Sequence, residues 1–145
     1  MELDELYQDI LLDHYKNPHN FGKGCPACTN VEKENPVCGD HIKLMLLVDD
    51  DNRVKEIKFT GSGCAISMAS ASIMTDEIKG KPVQEVKAII KEVLSTMRGE
   101  KDPETLESHG DMAALKGVTK FPVRIKCATL AWHAVSDALQ KSERK

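Results

Sequence analysis

The chain predicts an α+β fold in which one small antiparallel sheet packs against several helices, and three observations lead there. Two apolar/polar alternating segments stand together in the first half, segments of helical period fill the second half, and no internal repeat or linker divides them. Leu3, Leu6, Tyr7, Ile10, Leu11 and His14 recur at helical spacing, and Pro18 with Gly22 ends that first helix. Residues 22–36 read as loop or short strand. Residues 41–48 and 53–59 alternate with period two on either side of the polar turn 49–52, the pattern of a hairpin. The second of these strands runs through Gly61 into a helix of small residues over 65–74, whose low bulk allows close packing on a sheet. Residues 82–97 form the clearest amphipathic helix, with Val83, Val86, Ile89, Ile90 and Val93 on one stripe and Gly99 as its stop. Pro122 opens the last helix, where Ala131, Ala134, Val135, Ala138 and Leu139 make the buried stripe.

At 145 residues the chain fits one domain, 1–145, which by size scaling buries roughly two-thirds of its unfolded surface. A metal is therefore not needed merely to fold. Aromatics are only 4%, so the core must come from Leu, Ile, Val, Ala and six Met. The net charge of −3 and the lack of a basic stripe interleaved with aromatics argue against nucleic acid as a partner. The N-terminus is acidic rather than signal-like and no apolar run approaches a membrane span, which makes a cytoplasmic protein without a membrane partner the expectation. Five cysteines, an odd number, fit free thiols or metal ligands better than a disulfide frame.

Three of the cysteines stand where a thiolate is favoured. Cys38 lies in Asn35-Pro36-Val37-Cys38-Gly39-Asp40, a Pro/Gly turn that lets its sulfur and the Asp40 carboxylate face one cation. Cys64 follows Gly61-Ser62-Gly63 at a helix start, where unpaired N–H groups and the positive dipole end lower a thiol pKa. Cys127 follows Arg124 and Lys126, whose charges act in the same direction. Duller readings stand beside these: buried apolar filler for Cys64 and Cys127, an Asx-turn or strand cap for Asp40, a bulge for Gly61 and Gly63, solvated helix-start charges for Arg124 and Lys126. No Gly-Lys-Ser/Thr follows the glycines, so a phosphate loop is excluded. Cys25-Pro26-Ala27-Cys28 reads as a redox dithiol, half of a second zinc site, or neither. His14 and His133 fall on helices as exposed or core-edge imidazoles, and His41 is close enough to Asp40 to tune it. Spacing alone does not gather positions 38, 40, 64 and 127.

Four stretches carry a resemblance: residues 13–18 (Asp-His-Tyr-Lys-Asn-Pro), 35–40, 61–72 (Gly-Ser-Gly-Cys-Ala-Ile-Ser-Met-Ala-Ser-Ala-Ser) and 120–130 (Lys-Phe-Pro-Val-Arg-Ile-Lys-Cys-Ala-Thr-Leu). Along roughly its whole length the chain resembles the U-type iron–sulfur cluster assembly scaffold family (IscU/NifU N-terminal-like), and most closely its SufU branch. The resemblance implies that Cys38, Asp40, Cys64 and Cys127 converge as one four-ligand site for zinc or for iron in a [2Fe–2S] cluster, with Arg124, Lys126, His41, Gly39 and Gly63 in support. Two features depart from the housekeeping scaffolds. Lys126 stands where they carry histidine, and a lysine ammonium cannot replace that ligand. The segment 108–117 looks like the insertion of the SufU branch. Phe121-Pro122-Val123-Arg124-Ile125 also replaces the Leu-Pro-Pro-Val-Lys chaperone motif.

Three functions follow from the resemblance. The first is a zinc-containing sulfur relay in which Cys38 leaves the metal to accept persulfide sulfur from a cysteine desulfurase and passes it to iron–sulfur assembly or acceptor proteins. This makes the chain a sulfurtransferase-like carrier rather than a multiple-turnover enzyme. The second is a scaffold that builds a [2Fe–2S] cluster on the same ligands. A structural zinc domain that binds other proteins, with closed coordination and no reactive thiol, is the third. Thiolates suit both metals, so ligand identity does not choose between them.

Overall fold

The structure is a computed structural model that describes residues 5–36 and 38–143. Leu3 and the side chain of Leu6, members of the expected first stripe, and Val37 in the Cys38 turn lie outside what is described. The order of elements is α1 (Glu5–Lys16), β1 (Thr29–Asn35), β2 (Asp40–Val48), β3 (Val54–Ser62), α2 (Ala65–Ile78), α3 (Val83–Met97), two 3₁₀ helices (Pro103–Ser108 and Gly110–Lys120) and α4 (Pro122–Glu143).

The predicted hairpin is β2–β3, paired antiparallel from His41 opposite Ser62 to Val48 opposite Val54, with an irregularity at Leu47/Val48. Period-two alternation puts Ile42, Leu44 and Leu46 of β2 on the same face as their register partners Phe59 and Ile57, all with no exposed surface. Burying side chains of this kind stabilises the fold by about 1.5–3 kcal/mol each. β1 pairs with β2 on its other side, so the sheet order is β1-β2-β3. In β1 the chain is a full strand where the sequence left loop or short strand open. Its ends are buried and its middle alternates exposed and half-buried, as befits an edge strand held by its neighbour's hydrogen bonds.

α4 packs against β1, β2, α2 and α3, and α2 packs against α1. The stripe Ala131, Ala134, Val135, Ala138 and Leu139 is buried as predicted, with Trp132 beside it at the centre of the core. α2 runs four residues beyond its predicted end, and residues 66–75 are buried along all of its faces. That is possible because Ala69, Ser70, Ala71 and Ser72 are small, and the Ser70 hydroxyl donates to the Ala128 carbonyl at 2.6 Å to join α2 to α4. The predicted stripe of α3 is buried throughout. The 3₁₀ segment closes the remaining side of the core with Leu106, Met112, Leu115 and Val118.

Candidate metal centre

Register fixes the site. Asp40 opens β2 opposite Asn35 of β1, and the pairing of His41 with Ser62 sets Gly63 and Cys64 beside the Asp40 side chain. Gly63 is required there for two reasons: its φ is +155°, and a Cβ built on it would lie 3.1 Å from the Asp40 Cα and collide with the carboxylate. Gly39 turns the chain between β1 and β2 at φ +71°, after the Cys38 N–H donates to the Asn35 carbonyl at 3.2 Å.

Cys38, Asp40 and Cys127 each offer a donor atom within 4.8 Å of the others. The Cys127 thiol points at the Cys38 sulfur, 3.2 Å away. Asp40 is 1% exposed, and its Oδ1 accepts from the Cys64 N–H at 2.9 Å. Cys64 caps α2: its sulfur accepts from the Ser67 N–H at 3.4 Å, so the helix-start geometry expected from the Gly-Ser-Gly run is present. Cys64 stands at the rim of the tight group and reaches it through the hydrogen bond of its N–H to Asp40.

One expectation is overturned by burial. Neighbouring cations were expected to favour the Cys127 thiolate, yet Cys127 is fully buried and its thiol pKa is pushed far up, first by desolvation and then by hydrogen bonds with Cys38, Asp40 and Cys64. Loss of hydration outweighs the attraction of charges at the surface. Of the two basic residues, Arg124 faces the thiols. Its guanidinium pKa is raised by a hydrogen bond with Cys127 and by the charges of Cys64, Cys127 and Cys38. Lys126 instead lines a groove with Lys33, Glu34, Asn35, Thr129, Leu130 and His133. His41 points away as well, because strand alternation sends it to the face opposite Asp40, where its Nε2 is 4.0 Å from Glu32.

Asn35, quoted in the motif but not counted as a site residue, belongs to the site. Its amide donates to Asp40 Oδ2 at 3.3 Å and lies 3.8 Å from the Cys127 sulfur. The sequence signal was its position just before the Pro36 turn. Elsewhere, Cys25 and Cys28 are joined as a disulfide, consistent with the redox-dithiol reading of that pair, and the other three cysteines are free thiols. The turn formed by the Cys28 N–H on the Cys25 carbonyl, 3.0 Å, brings their Cα atoms within 5.2 Å. His14 is corrected too. It is buried, hydrogen-bonded to Ser72 and Asp111 at 2.7 and 2.8 Å, and not a core-edge imidazole.

A three-stranded antiparallel sheet backed by helices, with three thiols and a buried carboxylate gathered at one end, defines the class: a small α+β domain with a thiol-rich site. Residues 6–145 match the NifU-like N terminal domain, and the chain belongs to that family. It is 45% identical over 141 residues to a protein of Bacillus subtilis (strain 168) named zinc-dependent sulfurtransferase SufU, covering 97% of this chain and 94% of the relative. It is 40% identical over 141 residues to the iron–sulfur cluster assembly scaffold protein IscU of Streptococcus pyogenes serotype M1, covering 97% and 87%. A crystal structure from Fervidobacterium islandicum AW-1, named for iron–sulfur cluster assembly in the SUF system, superposes with a TM-score of 0.76 at 32% identity and covers 90% of this chain and 94% of that one. No helix among the described residues is long and apolar enough to cross a membrane.

Proposed function

We infer that the chain, read as one U-type domain acting in the cytoplasm, accepts sulfur on Cys38 within iron–sulfur cluster biogenesis, with Cys38, Asp40, Cys64 and Cys127 holding zinc. The observation that carries this reading is the convergence of Cys38, Asp40 and Cys127 donors within 4.8 Å, with Cys64 tied in by its N–H. The donor set fits the ion: thiolates with one carboxylate suit zinc, and they suit iron as well. Zinc, when bound, keeps its thiol ligands deprotonated at neutral pH. This matters here because burial otherwise holds Cys127 protonated.

Cys38 is the thiol best placed to move. It sits on a Pro/Gly turn, whereas Cys64 is fixed as a helix cap and Cys127 is buried inside α4. Its thiolate attacks the outer sulfur of a desulfurase persulfide. The new S–S bond forms on Cys38 as the old one breaks, and the desulfurase cysteine leaves as thiolate, so the exchange is electron-neutral. Arg124, exposed and beside the thiols, offers positive charge to both the incoming and the departing sulfur. The name of the Bacillus subtilis relative supports this reading.

The names of the Streptococcus and Fervidobacterium relatives support a second, in which the same residues hold a [2Fe–2S] cluster in assembly and transfer. Protein purified without oxygen separates the two: one zinc and no colour supports sulfur transfer, whereas iron, sulfide and visible absorption support the scaffold. Incubation with a pyridoxal-phosphate desulfurase and cysteine, read by intact mass, tests the acceptor. Added sulfur should map to Cys38 and vanish in Cys38→Ser. Sulfur on Cys127 with Cys38 unmodified overturns the assignment.

A further inference from the structure

A second group of potential ligands lies further along α2. His14 of α1, His19 in the loop that follows it and Asp76 of α2 each bring one donor atom within 4.8 Å of the others. The group is well removed from the thiols: Ser72, which contacts His14, is eight residues beyond Cys64, about 12 Å along a helix.

The hydrogen bonds around His14 decide how it can act. Its Nε2 is 2.8 Å from Asp111 Oδ2, and an ionised carboxylate only accepts, so Nε2 carries the proton. In the neutral ring Nδ1 then holds a lone pair, directed toward the Ser72 hydroxyl at 2.7 Å. The same hydroxyl accepts from the His19 N–H at 2.8 Å, which fixes the loop beside the ring, and the two imidazole centroids are 4.6 Å apart. His19 Nδ1 pairs with Asp76 Oδ2, while the Asn20 amide steadies the other oxygen of Asp76 at 3.3 Å. A histidine whose outer nitrogen donates to a carboxylate, and which stands in one group with a second histidine and a second carboxylate, has the partnering that orients imidazole ligands in metal sites, and an ion on Nδ1 would take the lone pair that now meets the Ser72 hydroxyl.

Burial is graded across the group. The His14 side chain is 3% exposed, whereas His19 and Asp76 are 45% and 42% exposed. One candidate ligand is therefore buried and two stand half-exposed at the surface. An ion with bonds of ~2.1 Å keeps its donors about 3–4 Å apart, a small adjustment from the present spacing.

We propose that His14 Nδ1, His19 and Asp76, with Asp111 orienting His14, form a second cation site for a divalent first-row transition ion of the zinc or ferrous type. Two imidazoles and one carboxylate select such an ion, leave coordination positions open to water, and differ in kind from the thiol site. The site does not depend on the sulfur-transfer reading.

The test is titration of the full-length protein, its thiol site already filled with one equivalent of zinc, with Co²⁺. One further Co²⁺ should bind and give weak visible d–d bands without the intense near-ultraviolet bands of thiolate ligation. His19→Ala and Asp76→Asn, both at half-exposed positions, should abolish this second event, and Asp111→Asn should weaken it about 10- to 100-fold. Circular dichroism and melting temperature of the His19→Ala protein should match the unmodified chain, and Cys25→Ser/Cys28→Ser should retain the site. Absence of a second event, its survival in His19→Ala, or thiolate bands accompanying it would overturn the proposal. Failure of the thiol site to take zinc is seen separately, in the first equivalent.

Discussion

Replacing Asp40 with Ala should act in opposite directions on the metal-free and the iron-loaded protein. In the metal-free fold the Asp40 carboxylate accepts from the Cys64 N–H at 2.9 Å and the Asn35 amide at 3.3 Å while being 1% exposed. Ala leaves both donors unpaired, and a stranded buried donor costs about 1–3 kcal/mol. Because Cys64 is only partly buried, its N–H recovers some hydration, and a combined loss of about 2 kcal/mol is the reasonable figure. At about 3–4 °C per kcal/mol for a chain of this size, the metal-free melting temperature should fall by about 6–8 °C. Asp40→Asn keeps an acceptor for the Cys64 N–H and should lose about half as much. In protein reconstituted with iron and sulfide, removal of a hard oxygen donor should instead lengthen the life of the cluster, followed as visible absorbance against a chelator. Thermal unfolding by circular dichroism with chelator and reductant present checks the first half. If Asp40→Ala melts within about 1 °C of the unmodified metal-free chain, the hydrogen-bond reasoning fails, and faster cluster loss would recast Asp40 as an anchor for the metal.

Gly63→Ala should destabilise the metal-free protein by about 1–3 kcal/mol in urea unfolding, because φ +155° excludes a side chain and the added Cβ meets Asp40. Cys64→Ser or Cys127→Ser should remove bound metal and the stability that comes with it, whereas Cys25→Ser/Cys28→Ser should keep the full complement by metal analysis. The raised Cys127 pKa sets a pH dependence. The folded state prefers the neutral thiol, so this contribution is complete below the ordinary value of 9.0 and is lost as pH climbs above it. Metal-free protein should therefore weaken as pH rises above about 9 in urea titrations, and Cys127→Ser should flatten that slope.

Elements that announce themselves by period were legible. The β2–β3 hairpin alternates every two residues, and α3 places Val83, Val86, Ile89, Ile90 and Val93 on one stripe, so the fold class followed from local pattern alone. β1 was hard to read because Thr29-Asn30-Val31-Glu32-Lys33-Glu34-Asn35 offers one branched apolar residue among polar ones, and its strand form comes from pairing with β2. The candidate ligands stand out by resemblance rather than by spacing, since 38, 40 and 127 come within 4.8 Å only through sheet register and the crossing of α4, with Cys64 at the rim. What escaped were the states that depend on burial, the protonated form favoured for Cys127 and the hydrogen-bonded interior position of His14, and the face of β2 on which alternation puts His41. Residue type gives a side chain's chemistry, and its surroundings decide which form of that chemistry survives.

The 3₁₀ segment is built into the core of this chain. Leu106, Met112, Ala114, Leu115 and Val118 have no exposed surface, the segment packs on α1, α2 and α4, and His109 ties it to Glu92 of α3 at 2.7 Å. It is wall rather than ornament. Excising it to imitate a shorter scaffold would uncover the flank of the core and remove the Asp111 partner of His14 in the same cut. A graft in place of the segment must therefore bring surfaces that match four other helices, α1, α2, α3 and α4.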